Sequence, residues 1–389
     1  MITNTFPPRR FGGVTKISFS IAKKLAQRGH HVTVYTTDTG NTERSRLQVE
    51  KVAGIEGLHV HYFRNISNLL AFKYRLYTPI SCLSTLRRET RSFDIVHFHE
   101  YRSLFSIFGS YFARSSRVPY VMQAHGSMPK ALPQQKRPPI FVKYVSDALI
   151  NERVIRRASK VIALNQLEAQ AYENAGVEKR KVAVIPNGLD LSQFAKLPPR
   201  GQFRKRYGIE SRESIILFLA RINKVKGLTL LLNAFNGLEK EVDNVRLVIA
   251  GPDDGYLGQL KEDIKRLGIS DKVLLTGPLY KEAKLEAYVD ADAYVLPSSY
   301  EVFGLTVIEA CACGAPTIVT NRCGVADAIR EVGCVVDYDT HQLQSAIHNV
   351  VTNAPLREKM RERGPVMVRE RYDLEKIIDD LEKLYQTCL

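Results

Sequence analysis

The chain has 389 residues, enough for two domains of ordinary size, and 44% hydrophobic residues with which to build two cores. It contains no run of about 18 apolar residues, so no membrane-spanning helix is expected. The formal net charge is +15, and it is unevenly placed: residues 1–190 carry 29 lysines and arginines against 13 acidic residues, a net +16, while residues 191–389 carry 27 against 28. That split points to an anionic partner for the N-terminal half alone.

Pro7, Pro8, Arg9 and Arg10 arrive before an apolar leader could form, so a cytoplasmic location is expected. Cys82, Cys311, Cys313, Cys323, Cys334 and Cys388 include no CxxC pair and no histidine at zinc-finger spacing. They read as small buried thiols in a reducing compartment.

In chain order, Met1 to Thr5 reads as the tail of a short first strand, or of one that has been trimmed. Gly12-Gly13 then precedes a helix with Val14, Ile17, Ile21 and Leu25 at helical spacing, ending at Gly29. Two glycines before a helix N-terminus suit close approach by phosphate, or form a simple turn. His31–Thr36 and Leu58–Phe63 read as strands. So does Asp94–His99, whose His97 and His99 are expected to be structural or to line the ligand edge, without a chemical role.

Pro119 to Ala124 is a further strand, followed at once by His125 and Gly126. His125 either caps a loop or serves a site; as a lone histidine it is not a metal ligand. Residues 129–140 read as a basic loop. Phe141, Val145, Leu149 and Ile155 mark an amphipathic helix that carries Lys143, Arg153, Arg156 and Arg157 on its polar face. With Lys136 and Arg137 these cations could dock an anionic membrane surface, or form a solvated face. Lys160–Leu164 and Lys181–Ile185 complete the first set of strands. Pro186 to Asp190 and Pro198 to Gly201 mark a boundary.

The strand–helix alternation restarts at Ile215–Ala220. Arg221, Lys224 and Lys226 lie in the next loop, ahead of a helix from Leu228. Three cations before a helix N-terminus are poorly placed unless an anion binds there. Val245–Ala250 ends in a loop that starts at Gly251, and Lys272–Thr276 ends at Gly277-Pro278-Leu279. Asp290-Ala291-Asp292 has the DxD pattern of metal–diphosphate sites. It precedes the strand Ala293–Leu296, away from the ligand edge, and is read as a structural cap with no metal. Gly333–Asp337 is another short strand, helices fill 340–370, and a last helix begins near Asp373.

The most informative stretch runs from Pro297 to Ala310. Gly304 permits a tight turn between a buried strand and a helix, and that helix opens with unsatisfied amides at Leu305. Glu301 precedes the turn, and Glu309 lies more than one turn inside the helix. This Glu-x7-Glu pattern around Phe303-Gly304, continued by Ala310, Gly314, Pro316 and Thr320, resembles the signature of retaining glycosyltransferases of the GT-B fold, family 4. The likeness extends over nearly the whole chain.

The resemblance implies an α/β architecture of two doubly wound, parallel-sheet (Rossmann-like) domains facing across a cleft. Its domains would be residues 1–190 on the acceptor side and 191–370 on the nucleotide-sugar side, with a helix at 371–389 crossing back to the first. It implies that Glu301 binds donor-sugar hydroxyls, Glu309 the ribose, and Arg221 and Lys226 the diphosphate. His125 would belong to the donor-sugar pocket and Gly12-Gly13 to the donor phosphates. The Leu279 loop would lie against the base, with Gly251, Phe303, Gly304 and Leu305 completing the donor site. No cofactor beyond the nucleotide-sugar co-substrate is implied. The acceptor would be a sugar or a lipid-linked molecule, which allows a place on the inner face of the cytoplasmic membrane. Two rivals are a sugar-nucleotide 2-epimerase of the same fold and a basic nucleic-acid-binding protein. The first is opposed by the Arg221/Lys226 loop and the Glu301 motif, the second by the lack of tryptophan and of any binding module. A dehydrogenase would need a GxGxxG after a strand, which is missing.

Overall fold

The computed structural model describes residues 1–8, 12–40, 46–47, 55–74, 76–101, 103–126 and 152–389, with backbone alone at 73 and 74. The basic loop 129–140, most of the amphipathic segment 141–158, and Arg9 and Arg10 lie outside the described residues. The chain divides into two compact units. The first comprises Met1–Gly188 with Leu374–Leu389, and the second Leu189–Asp373.

The first unit holds β1 (Val32–Thr37), β2 (Leu58–Phe63), β3 (Val96–Phe98), β4 (Tyr120–Gln123), β5 (Lys160–Ala163) and β6 (Val182–Val184). β1 pairs with β2, and β3 to β6 pair in sequence, all in parallel. Ile2 joins the two sets through parallel bridges to Tyr35 and Phe98, so the expected first strand exists as a single bridging residue. Its N–H donates to the His97 carbonyl at 2.8 Å, and its own carbonyl accepts from His99 N–H at 2.9 Å. The order is therefore β2-β1-Ile2-β3-β4-β5-β6, a doubly wound sheet.

The C-terminal helix Leu374–Gln386 belongs to this first unit. Its apolar stripe of Leu374, Ile377, Ile378, Leu381 and Leu384 is buried. Its polar face meets the helix Gly13–Gln27: Arg28 pairs with Glu375 at 2.8 Å, Asp379 at 2.6 Å and Glu382 at 2.7 Å. Gly188 lies where any Cβ would come within 2.8 Å of Leu374 Cα, so only glycine lets the chain pass under the helix start.

The second unit is one six-stranded parallel sheet in the order β12-β11-β10-β7-β8-β9. Its strands are β7 (Ser214–Leu219), β8 (Val245–Ala250), β9 (Val273–Gly277), β10 (Ala293–Leu296), β11 (Thr317–Thr320) and β12 (Cys334–Val336). β7 and β10 are wholly or almost wholly buried, as continuous apolar runs covered on both faces should be. β11, only four residues long, is a strand that the sequence reading did not identify. The helical stretch after β12 is two helices, Thr340–Thr352 and Ala354–Arg371, broken where Asn353 caps the second through Leu356 N–H at 3.0 Å. Four cysteines are buried as expected, but Cys334 and Cys388 are only half-buried, and all six are free thiols. Among the described residues no helix is long and apolar enough to cross a membrane.

Asp290 and Asp292 lie at the amino end of β10 and serve the fold. Asp290 accepts from Gly201 N–H at 2.5 Å and Arg204 N–H at 3.0 Å, capping the helix Gln202–Tyr207. Asp292 accepts from Ile215 N–H at 2.9 Å and from Arg204 at 2.7 Å.

Candidate active site

In the second unit the strand order reverses between β7 and β10, and their carboxyl-end loops lie side by side. The backbones are in direct contact. A Cβ on Gly227, whose φ is +74°, would sit 1.8 Å from the Pro297 carbonyl oxygen. Ser299 donates from its N–H at 2.9 Å and its hydroxyl at 3.1 Å to the Val225 carbonyl. Gly227 and Ser299, neither of them picked out from the sequence, are what locks the loops together.

This contact brings Lys226 and Glu301 into an ion pair. Glu301 is further fixed through its backbone, whose N–H donates to the Arg322 carbonyl at 3.0 Å while its carbonyl accepts from Gly324 at 2.7 Å. Arg221, from the same β7 loop, pairs instead with Asp254 of the β8 loop. Asn223 ties these loops too, donating to the Asp254 carbonyl at 3.0 Å and accepting from Val225 N–H at 3.0 Å. Arg221 and Lys226 are therefore held by one carboxylate each, in a loop cluster at one edge of the sheet.

Gly304, with φ +93°, caps the helix Leu305–Ala312. The first helical amides, at Leu305 and Thr306, point beyond the helix end, where such groups favour an anion. Thr306 is set by its hydroxyl, 2.8 Å from Tyr294 Oη. The turn carries the Phe303 ring inward, edge-on against Tyr372 with centroids 5.7 Å apart. Phe303 is thus a core residue, and only its backbone is left to face a ligand. Gly251 has a packing reason as well, since its Cβ would fall 1.8 Å from the Ala220 carbonyl oxygen. Leu279 and Leu305 are half-buried in their loops.

Glu309 is buried, and its Oε2 accepts from Lys284 Nζ at 3.0 Å and from Tyr288 Oη at 3.2 Å. Burial first, and then the neighbouring Glu309 charge, push the Tyr288 hydroxyl well above its ordinary range. Lys284 was invisible as a site residue, because the helix Lys281–Asp290 that carries it reads as an ordinary polar helix.

The remaining candidates lie in the first unit. Gly12, with φ +119°, caps the helix that begins at Gly13, and around Gly13 there is open space for a Cβ. His125 has the left-handed φ of +48°, followed by Gly126 at +77°. The buried Glu168 holds this turn by accepting from Gly126 N–H at 2.6 Å and Leu164 N–H at 2.8 Å. His125 Nε2 lies 3.1 Å from His99 Nδ1, and His99 stacks on His97 with centroids 4.1 Å apart. His97 Nδ1 in turn meets Tyr385 Oη at 2.7 Å. Burial lowers all three imidazoles, His125 to about 3.

Comparison with known proteins agrees with this geometry. The family described as Glycosyltransferase Family 4 matches residues 11–193, and that described as Glycosyl transferases group 1 matches residues 199–367. Mannosylfructose-phosphate synthase of Agrobacterium fabrum is 26% identical over 82% of this chain and 73% of its own. Alpha-monoglucosyldiacylglycerol synthase of Streptococcus pneumoniae is 26% identical over 91% of this chain and 78% of its own. Anabaena HepE, crystallised with UDP and glucose, shares the fold at a TM-score of 0.77 and 18% identity, over 99% of this chain and 98% of that one. With both units doubly wound and both halves matched, the chain belongs to the GT-B glycosyltransferases of family 4.

Proposed function

We propose that the chain transfers a sugar from a nucleoside-diphosphate sugar to an acceptor hydroxyl, with the anomeric configuration retained. The observation that carries this reading is the meeting of Lys226, Glu301 and the Leu305–Ala312 helix N-terminus at the switch point of the second sheet. The reading is supported by the Anabaena neighbour, which was crystallised with UDP and with UDP-glucose.

In this mechanism the bond between the anomeric carbon and the diphosphate oxygen breaks as the acceptor oxygen bonds to the same carbon from the same face. The acceptor proton passes to a diphosphate oxygen, so no enzyme nucleophile is required. Negative charge grows on the leaving diphosphate, where Lys226, Arg221 and the helix amides stabilise it more in the transition state than in the ground state. Glu301 holds sugar hydroxyls and Glu309 the ribose. These cations and amides supply the charge that a divalent metal supplies elsewhere, and Asp290 and Asp292 are already engaged as caps. The acceptor is a sugar or a lipid-linked molecule, in polysaccharide, glycolipid or glycoconjugate synthesis.

The test is a panel of nucleoside-diphosphate sugars, beginning with UDP-glucose, screened by thermal shift and then by product analysis. The expected product keeps the donor's anomeric configuration, and turnover survives exhaustive chelation. An inverted product would refute retention. Activity lost on chelation and restored by magnesium or manganese would refute metal independence.

A further inference from the structure

Ten large apolar side chains are exposed among the described residues, and four of them fall between positions 66 and 80. Ile66 is 60% exposed, Leu69 53%, Leu76 45% and Ile80 51%. The segment leaves β2, forms the helix Asn68–Tyr74 and folds back on itself. Ile66 N–H donates to the Thr78 carbonyl at 3.3 Å, and Leu76 N–H to the Leu70 carbonyl at 3.2 Å.

A buried asparagine closes the lobe. Asn65 Nδ2 donates to the Ser67 carbonyl at 2.9 Å and to Asn68 Oδ1 at 3.0 Å, while its Oδ1 accepts from Thr78 N–H at 2.7 Å. Ala71 and Tyr77 point into the unit and are buried. The outward apolar groups are thus held there by a satisfied polar core. Packing within the unit gives no reason for such a cluster, and exposed clusters of this kind mark interaction surfaces.

The surrounding charge says what kind of surface would cover it. From residue 57 to residue 88 the sequence has Arg64, Lys73, Arg75, Arg87 and Arg88 and no acidic residue; Glu56 and Glu89 flank the stretch, and Glu89 pairs with Arg88 at 2.7 Å. Arg64, Arg87 and Arg88 are exposed. A second copy of this chain would set these cations against their own kind, which repels. Exposed apolar side chains in a stretch whose own charges are all cationic match the boundary between acyl chains and anionic headgroups.

We propose that this lobe docks the first unit on an anionic lipid bilayer, with Ile66, Leu69, Leu76 and Ile80 entering the interface and the arginines meeting lipid phosphates. The docking is independent of the glycosyl-transfer reading, because it is measured without substrate.

The experiment is co-sedimentation of the full chain with phosphatidylcholine vesicles, with and without phosphatidylglycerol. Binding is expected on the anionic vesicles, falling with added salt. It should drop at least tenfold in the variant Ile66→Ser/Leu69→Ser/Leu76→Ser/Ile80→Ser. The chain has no tryptophan, so Leu69→Trp gives a single reporter that should shift to the blue on vesicle binding and be quenched by brominated lipid. No binding to anionic vesicles, undiminished binding by the fourfold serine variant, or an unshifted Leu69→Trp spectrum overturns the proposal. So does a wild-type dimer that the serine variant dissociates while vesicle binding stays unchanged.

Discussion

Lys226 and Glu301 form an ion pair although 75 residues separate them. Each follows one of the two strands, β7 and β10, between which the sheet order reverses. A doubly wound sheet opens its loops apart at this place, and the pair shows that these two loops are joined across it. Both side chains are mostly buried, at 14% and 16% exposure, so their mutual attraction is less screened than that of a surface pair. Under the proposed mechanism the carboxylate also holds the cation in position for the leaving group. The substitution Glu301→Gln should then slow turnover by about 100-fold or more, the range found when one transition-state contact is removed. The thermal midpoint should fall by only a few degrees, because the glutamine carbonyl can still accept from Lys226, which keeps some access to water. Steady-state kinetics beside a thermal melt check this, and near wild-type turnover would remove Glu301 from the mechanism.

Gly227 tests the loop contact itself. In Gly227→Ala the new methyl would meet the Pro297 carbonyl at 1.8 Å in a left-handed backbone, so one of the two loops must move. A loss of about 2–4 kcal/mol in stability is expected from strain and displaced packing together. Gly255→Ala is the control, with φ +87° but open space around the added methyl, and should cost only about 1–2 kcal/mol. Urea unfolding of the two variants separates crowding from backbone strain. Equal losses would mean that the loops are not in fixed contact.

Much of this site was legible because its elements carry local signals. Ala293–Leu296 is an apolar run that ends at Pro297, and Gly304 and Glu309 sit at the turn and in the helix where a strand-loop-helix unit puts them. β11 escaped because Thr317–Thr320 has only two apolar residues, Ile318 and Val319, between threonines, whereas Ala293–Leu296 has no such polar ends. The ring of Phe303 is a different kind of miss. The motif names the residue, but whether backbone or side chain faces outward depends on a torsion that the sequence does not display. Lys284 and Tyr288 became visible only when the helix Lys281–Asp290 was packed against the one bearing Glu309. His97 and His99 share a strand face by the two-residue period, whereas the Tyr385 partner lies 288 residues away and had no signal.

Lys284 should be a positioning residue. Replacing it with methionine leaves the buried Glu309 carboxylate without its cation, at a cost of about 3–5 kcal/mol. Adding Glu309→Gln removes the stranded charge and should recover most of that stability. Nucleotide binding, measured by calorimetry with UDP, should stay weak in the double variant, because the ribose contact proposed for Glu309 is gone. Recovery of both stability and binding would show that Lys284 and Glu309 serve packing alone.

The histidine stack predicts how the first unit responds to acid. Burial keeps His97, His99 and His125 neutral in the folded chain, below an ordinary imidazole value of 6.5, and His125 titrates only at about 3. At pH 7 the folded chain binds none of these protons and the unfolded chain only a minor fraction, so little stability is lost. As the pH falls below about 6.5 the unfolded chain takes up protons that the folded chain refuses, so stability falls by up to about 1.4 kcal/mol per pH unit for each histidine. For His125 that loss continues down to about pH 3. Glu168 acts in the opposite sense: burial raises its carboxyl, so the folded chain binds its proton first and gains stability as the pH falls. The buried Met1 amino group, held down to about 5, and the ion-paired Glu89 and Glu375, held below the usual carboxylate range, act in the same sense as the histidines, so the net change is a loss. His99→Phe replaces the ring that stacks on both neighbours and removes one of the three charges to be avoided. Urea unfolding between pH 7 and pH 4.5 should show a shallower acid loss in this variant than in the wild type, whatever its stability at pH 7. Parallel profiles would mean that His99 does not titrate between the two states in that range.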